Sequence, residues 1–325
     1  RMVLAKSIVY AGCALALLSL AGCDSAHKGA AQEPAPAPDA PISVARFEWF
    51  KYAGNDPAFE TSGDLSTGYL NPVLAGFYPD PSVTRAGDDY YLVTSTFGYF
   101  PGIPVMHSRD LVNWEQVGNV IDRPGMLDFD GLGLSRGVFA PTIEFHDRTF
   151  YVGNTCVDCG GNFFVTSKDP AGPWSDPIWL PEVGGIDPSV FFDKDGKVYV
   201  INNDAPPEEA RYEGHRAIWI REVDPKTFQS ISEPVVLIDG GVKPEDKPIW
   251  IEGPHIYRIG DWYYLSAAEG GTAVDHSQVV LRSKTVTGPY VAYEGNPILT
   301  QRDQPEDRPN PITSVGHADL VQDGA

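Results

Sequence analysis

Cysteine and methionine are scarce in this chain, four and three among 325 residues, and the shortage excludes whole classes of architecture. A disulfide-framed scaffold needs several cysteines spread along the chain, and a structural zinc site needs about four ligands. Cys13 and Cys23 fall in the first two dozen residues, which leaves Cys156 and Cys159 in one CVDC with no second pair. Zinc is therefore not expected, and the pair is either a local disulfide in an oxidising compartment or two free thiols. Positive charge is short too. Lys and Arg number 24 against 44 Asp and Glu, a formal net charge of -20, so phosphate backbones are repelled and no nucleic-acid partner is expected. A neutral partner such as a sugar suits that balance. Amphipathic helical periodicity is missing beyond Gly68. Short runs rich in Val, Ile, Tyr, Phe and Trp take its place, punctuated by Gly, Pro and Asp, and they read as an all-β domain.

The one extended apolar run, Ile8 to Leu20, is too short to cross a membrane. Arg1 and Lys6 give it a positive start, and Leu20-Ala21-Gly22-Cys23 closes it. That ending resembles the lipobox of bacterial lipoproteins, which implies lipidation of Cys23, export, and membrane attachment through the lipid alone. Residues 1–23 are thus expected to be a signal segment. Residues 24–67, which include EPAPAPDAP, are expected to be an Ala- and Pro-rich tether and lead-in, and 68–325 the catalytic body.

Internal repetition decides the fold within that body. DPSVTRAGDDYYLVTST starts at Asp80, APTIEFHDRTFYVGNT at Ala140, DPSVFFDKDGKVYVINN at Asp187 and GPHIYRIGDWYYLSAA at Gly253. Each reads as a strand, a polar turn and an aromatic strand. HSRDLVNW, TSKDPAGPW and RSKTVTGPY then mark a second hairpin in three of the units. Four strands per unit make a propeller blade. A fifth copy, HADLVQDGA, begins at His317, so the expected fold is a five-bladed β-propeller with its fifth blade incomplete. Because Arg1 precedes Met2 and that copy stops mid-hairpin, the chain is expected to be a piece of a longer protein continuing with an aromatic strand.

In a propeller the innermost strand of every blade lines the axis, so residues that open each repeat converge despite their separation in sequence. Asp80, Ala140, Asp187, Gly253 and His317 are the equivalent positions, with Glu252 one residue ahead of the fourth. Like charges gathered in one concavity push one another's pKa values apart, which is how sugar hydrolases separate a proton donor from a proton acceptor. A single Asp-Pro-Ser is more simply a turn whose side chain bonds local amides. Two copies in register, with a Glu at the matching edge of a third blade, favour Asp80, Asp187 and Glu252 as catalytic carboxylates.

NPVLAGFYPDPSV (71–83), GIDPSVFFD (185–193), IEGPHIY (251–257) and AAEGGT (267–272) resemble the signature blocks of glycoside hydrolase family 43, which includes β-xylosidases and α-L-arabinofuranosidases. The resemblance runs from about Gly68 to the end. It implies a five-bladed propeller and inverting hydrolysis, with Asp80 as general base, Asp187 as the acid that tunes and orients, and Glu252 as general acid. It further implies sugar contacts at Phe97, Phe139, Ala140, Thr272 and His317; the xylosidases that resemble this chain carry Trp where Phe139 stands. No cofactor is expected for the chemistry. A calcium ion at the axis beside His317 is an added expectation, set against His317 as a hydrogen-bonding or structural residue. The expected substrates are xylo-oligosaccharide, arabinoxylan or arabinan fragments. An endo-acting arabinanase and a non-catalytic glycan-binding propeller are the alternatives.

Overall fold

The computed structural model describes Lys51, Gly54, residues 66–309 and residues 311–323. The signal segment, the lipidation site Cys23 and nearly all of the tether lie outside the described residues. The strands all lie within the compact unit Asn55–Ala325.

Four antiparallel sheets succeed one another along the chain. The first contains β1 (Ser82–Ala86), β2 (Asp89–Val93), β3 (Gly102–Ser108) and β4 (Glu115–Ile121). The second contains β5 (Gly137–Val138) and β6 (Thr142–His146), both paired with β7 (Thr149–Val157), then β8 (Gly161–Ser167) and β9 (Ile178–Trp179). In the third are β10 (Ile186–Phe192), β11 (Val198–Asp204), β12 (Ala217–Val223) and β13 (Val235–Asp239). The fourth has β14 (Glu252–Ile259), β15 (Trp262–Glu269), β16 (Ser277–Ser283), β17 (Val291–Ala292) and β18 (Leu299–Thr300). Every sheet is a meander, and the inner strands touch in sequence, β1 with β6, β6 with β10 and β10 with β14. The fold is an all-β propeller.

The polar turns read from the repeats join the expected strands. Between β3 and β4, for instance, Asp110 Oδ1 accepts the Val112 and Asn113 amides at 2.9 and 2.7 Å, which closes the turn. Alternating residues of facing sheets bury themselves between blades. Val93, Val105, Ile143, Val152 and Val165 are fully buried in one cluster, Phe164 and Val200 in a second, and Ile201, Ile218, Leu265 and Val279 in a third. Each such side chain stabilises the ring by about 1.5–3 kcal/mol.

All the inner strands share one irregularity. Four residues on the inner strand face three on its neighbour: Pro79 to Ser82 against Ser95 to Val93, Phe139 to Thr142 against Thr155 to Gly153, Ile186 to Ser189 against Asn203 to Ile201, and Glu252 to His255 against Ala268 to Ser266. This bulge releases Asp80, Ala140, Asp187 and Gly253 from their ladders and re-aims them. Asp80, Asp187 and Gly253 take left-handed backbone there, at φ 53°, 58° and 54°, and His317 joins them at 52°.

The expected fifth blade is corrected: the described residues form four blades, not five. The His317 repeat is present, but the segment is held mainly by side chains rather than by a backbone ladder. Asp319 Oδ2 accepts from Ser82 Oγ at 2.6 Å and from the Val83 amide at 2.9 Å, while its Oδ1 accepts from Tyr257 Oη at 2.6 Å. Gln278 donates to the Ala318 carbonyl at 3.1 Å and accepts its amide at 2.9 Å. The segment therefore bridges the first and fourth blades. It completes a belt of contacts in which Ser82 also accepts the Ile143 amide, Thr142 donates to Pro188 O and Ser189 donates to Pro254 O.

Candidate active site

At one end of the axis a cavity of about 410 Å³ is lined by Asp80, Phe97, Arg136, Phe139, Ala140, Ile186, Asp187, Asn203, Arg216, Trp250, Glu252, Thr272 and His317. All eight site positions expected from the sequence border it. They arrive in two rows set by the bulge. Phe139, Ile186 and Glu252 pair at equivalent positions in their ladders, and Asp80, Ala140 and Asp187 come next as the released residues.

The fourth blade departs from this pattern for a steric reason. Its released position is Gly253, and a Cβ there would stand 2.6 Å from His317 Nε2 and 2.8 Å from Cδ2. The imidazole fills the space that an aspartate would need, so the acid of that blade comes from one residue earlier, Glu252.

The carboxyls differ in environment. Asp187 is 2 % exposed, and its Oδ2 accepts from Asn203 Nδ2 at 2.8 Å and from the Gly253 amide at 3.0 Å. Its own amide donates to Thr155 Oγ1 at 3.1 Å, so backbone and side chain are both fixed. Burial raises its pKa, Asp80 adds to the rise, and His317 and those hydrogen bonds oppose it. Glu252 is 8 % exposed and its pKa is pushed up to about 8, by burial first and then by the neighbouring Asp187. Asp80 is the most open of the three, its side chain 28 % exposed, and it accepts from Ser95 Oγ at 2.6 Å. His317 Nδ1 lies 3.9 Å from Asp80 Oδ1. Burial opposes its protonation, but the carboxylates of Asp187, Asp80 and Glu252 outweigh that and raise its pKa.

Such a site sets a buried carboxyl that holds its proton more tightly than usual beside a more open carboxyl. Calcium fits its donors poorly. A calcium ion takes six to eight oxygens, whereas His317 offers nitrogen that surrounding acids draw toward the protonated form. Among the described residues no group of three or more His, Cys, Asp or Glu is placed to hold a metal ion.

The aromatic wall is formed by Phe97 and Phe139, ring centroids 5.4 Å apart, with the Arg136 guanidinium 5.9 Å from the Phe139 centroid. Arg136 is in turn paired with Asp158 at 2.6 Å, inside the CVDC turn. Cys156 and Cys159 form a disulfide, the first of the two states left open by the sequence. Arg136, Asn203, Arg216 and Trp250 are cavity residues that the repeat alignment did not single out. Trp250 stands two residues ahead of Glu252 in WIEGPH, and Asn203 closes the repeat that begins at Asp187.

The sequence model of glycosyl hydrolases family 43 matches residues 69–325. A protein of Butyrivibrio fibrisolvens named xylosidase/arabinosidase is 47% identical over 255 residues, covering 78% of this chain and 48% of its own length. A non-reducing end α-L-arabinofuranosidase of Bacteroides ovatus is 44% identical over 260 residues, covering 78% and 45%. Among solved structures, a GH43_12 protein retrieved from a capybara gut metagenome superposes with a TM-score of 0.73 at 48% identity, covering 78% of this chain and 48% of that one. The chain thus spans about half the length of the relatives it matches. Sequence, fold and the residues gathered at the axis agree, and the chain belongs to glycosyl hydrolase family 43.

Proposed function

We propose that this protein hydrolyses terminal β-D-xylosyl or α-L-arabinofuranosyl units of xylan- or arabinan-derived glycans, with inversion at the anomeric carbon. The observation that carries this reading is one cavity holding a buried carboxyl with a pKa of about 8, Glu252, together with the open carboxyl of Asp80. Glu252 donates its proton to the glycosidic oxygen as the bond to the anomeric carbon breaks, the electron pair leaving with that oxygen. Asp80 takes a proton from a water whose oxygen bonds the same carbon from the opposite face. Asp187 holds the Gly253 turn and keeps Glu252 protonated through its charge. Phe97, Phe139, Ala140, Thr272 and His317 surround the terminal sugar, with the aromatic faces against its C–H surface. The names of the Butyrivibrio and Bacteroides relatives support a pentose of either kind.

The test is turnover of nitrophenyl β-D-xyloside and α-L-arabinofuranoside by the complete protein, with proton NMR of the first-formed sugar. Inversion is expected. A retained anomer would overturn the water-and-base assignment, and binding without turnover would leave a glycan-binding propeller.

His317–Asp323 takes the place of the inner strand of a fifth blade, a reading supported by its Asp319 contacts to both flanking blades; an experimental structure of the complete protein tests whether further strands join it. Residues 1–23 direct export and lipid attachment at Cys23, supported by the Leu-Ala-Gly-Cys ending, and mass spectrometry of the mature amino terminus tests it.

A further inference from the structure

We infer that Trp250 and Arg216 form a subsite for the sugar on the leaving-group side of the bond, a neutral pyranose unit of the oligosaccharide. The inference rests on the assignment of Glu252 as proton donor, because the donor stands beside the departing oxygen and its neighbours therefore meet the departing sugar.

Trp250 lies two residues ahead of Glu252, lines the same cavity and is 40% exposed. Its backbone is left-handed at φ 46°, a conformation that costs a bulky residue about 1–3 kcal/mol and persists only where the surroundings impose it. They do so here. The Trp250 amide donates to Gly214 O at 2.8 Å, and the Ile249 carbonyl accepts the Gly270 and Gly271 amides at 2.9 and 3.2 Å. The peptide unit that leads into Trp250 is stitched to two other loops, so the exposure of the indole is built into the site.

Arg216 lines the same cavity, and its charge acts on Glu252. Among the described residues its guanidinium has no hydrogen-bond or ion-pair partner, although the chain carries 44 acidic residues. A sugar presents an apolar C–H face and a rim of hydroxyls. An indole face and an unpaired fork of N–H donors match those two surfaces. The unit is neutral because a carboxylated sugar would be repelled by Asp80 and Asp187 in the same cavity.

The test compares, in the complete protein, a disaccharide of the accepted glycone with the corresponding glycosyl fluoride, whose leaving group is one atom. Trp250→Ala should lower kcat/KM on the disaccharide at least tenfold more than on the fluoride, and Trp250→Phe should recover most of that ratio. Arg216→Met should lower the same ratio severalfold, mainly through KM. Equal losses on both substrates, or no loss, would overturn the subsite. Glu252→Gln keeps the two readings apart: it should abolish disaccharide turnover and spare the fluoride by comparison. If it cripples both alike, the proton-donor assignment fails whatever the Trp250 ratio shows.

Discussion

Gly253 donates its backbone N–H to Asp187 Oδ2 at 3.0 Å, so the turn carrying Glu252 is tied to the carboxylate of the preceding blade. Asp187→Ala removes that tie and also a negative charge that helps raise the Glu252 pKa. The expected outcome is a fall in kcat/KM of about 10²–10⁴-fold, with the alkaline limb of the pH profile moved to lower pH. Initial rates on a nitrophenyl glycoside across pH 5–9 would read both.

In the unaltered protein, a Glu252 pKa of about 8 places the loss of activity on the alkaline side at that pH. Above it, kcat/KM should fall about tenfold per pH unit as the donor loses its proton. With the fluoride as substrate, whose departure needs no proton donor, the same limb should be much shallower in the unaltered protein; an equally steep limb would assign it to another group.

The same proton affects stability. The folded protein holds it up to about pH 8, whereas the unfolded chain releases it near the ordinary glutamate value of 4.5, so stability declines as pH rises through that window. His317, also raised, acts in the same direction: its contribution is full below its unfolded pKa of 6.5 and is lost as pH passes its folded value. Glu252→Gln removes the part of this slope that Glu252 contributes. Its stability relative to the parent should improve by a few kcal/mol between pH 5 and pH 8 in urea denaturation.

Asp319 is the clasp of the belt. Its side chain is 3% exposed and accepts from Ser82, Val83 and Tyr257. Truncation strands those donors at about 1–3 kcal/mol each. Asp319→Ala should cost about 3–5 kcal/mol in thermal denaturation, partly recovered by Asp319→Asn, which keeps one acceptor oxygen. A change below about 0.5 kcal/mol would show that the blades meet without it.

Gly253→Ala probes the steric origin of the displaced acid. The new methyl meets the His317 ring at 2.6–2.9 Å in a left-handed backbone, so either the ring or the turn must move. We expect a loss of activity exceeding a hundredfold with retained blade structure by circular dichroism. Gly253→Ala in a His317→Ala background should be milder than the sum of the two changes.

Much of this arrangement is legible in the chain because the repeat is geometric as well as textual. Asp80, Asp187 and His317 could be aligned by eye, and the shared bulge shows why alignment in sequence means convergence in space. What escaped was set by loops from different blades. Arg136 reaches the cavity through Asp158 of the CVDC turn, and Arg216 through the segment before β12, and neither position recurs from repeat to repeat. The fifth sheet was over-read for the opposite reason. HADLVQDGA carries the signature of an opening strand, but a strand exists only when a neighbour completes its ladder, and Asp319 is engaged through its carboxylate instead.

Left-handed backbone at Asp80, Asp187 and His317 means that the main chain decides where these side chains point, independently of what they are. Each acts as a socket of constant orientation into which a different reagent has been fitted. A propeller built this way can exchange its chemistry by single substitutions around the axis while its blades stay as they are, and one frame can therefore serve several bond-cleaving or sugar-holding tasks.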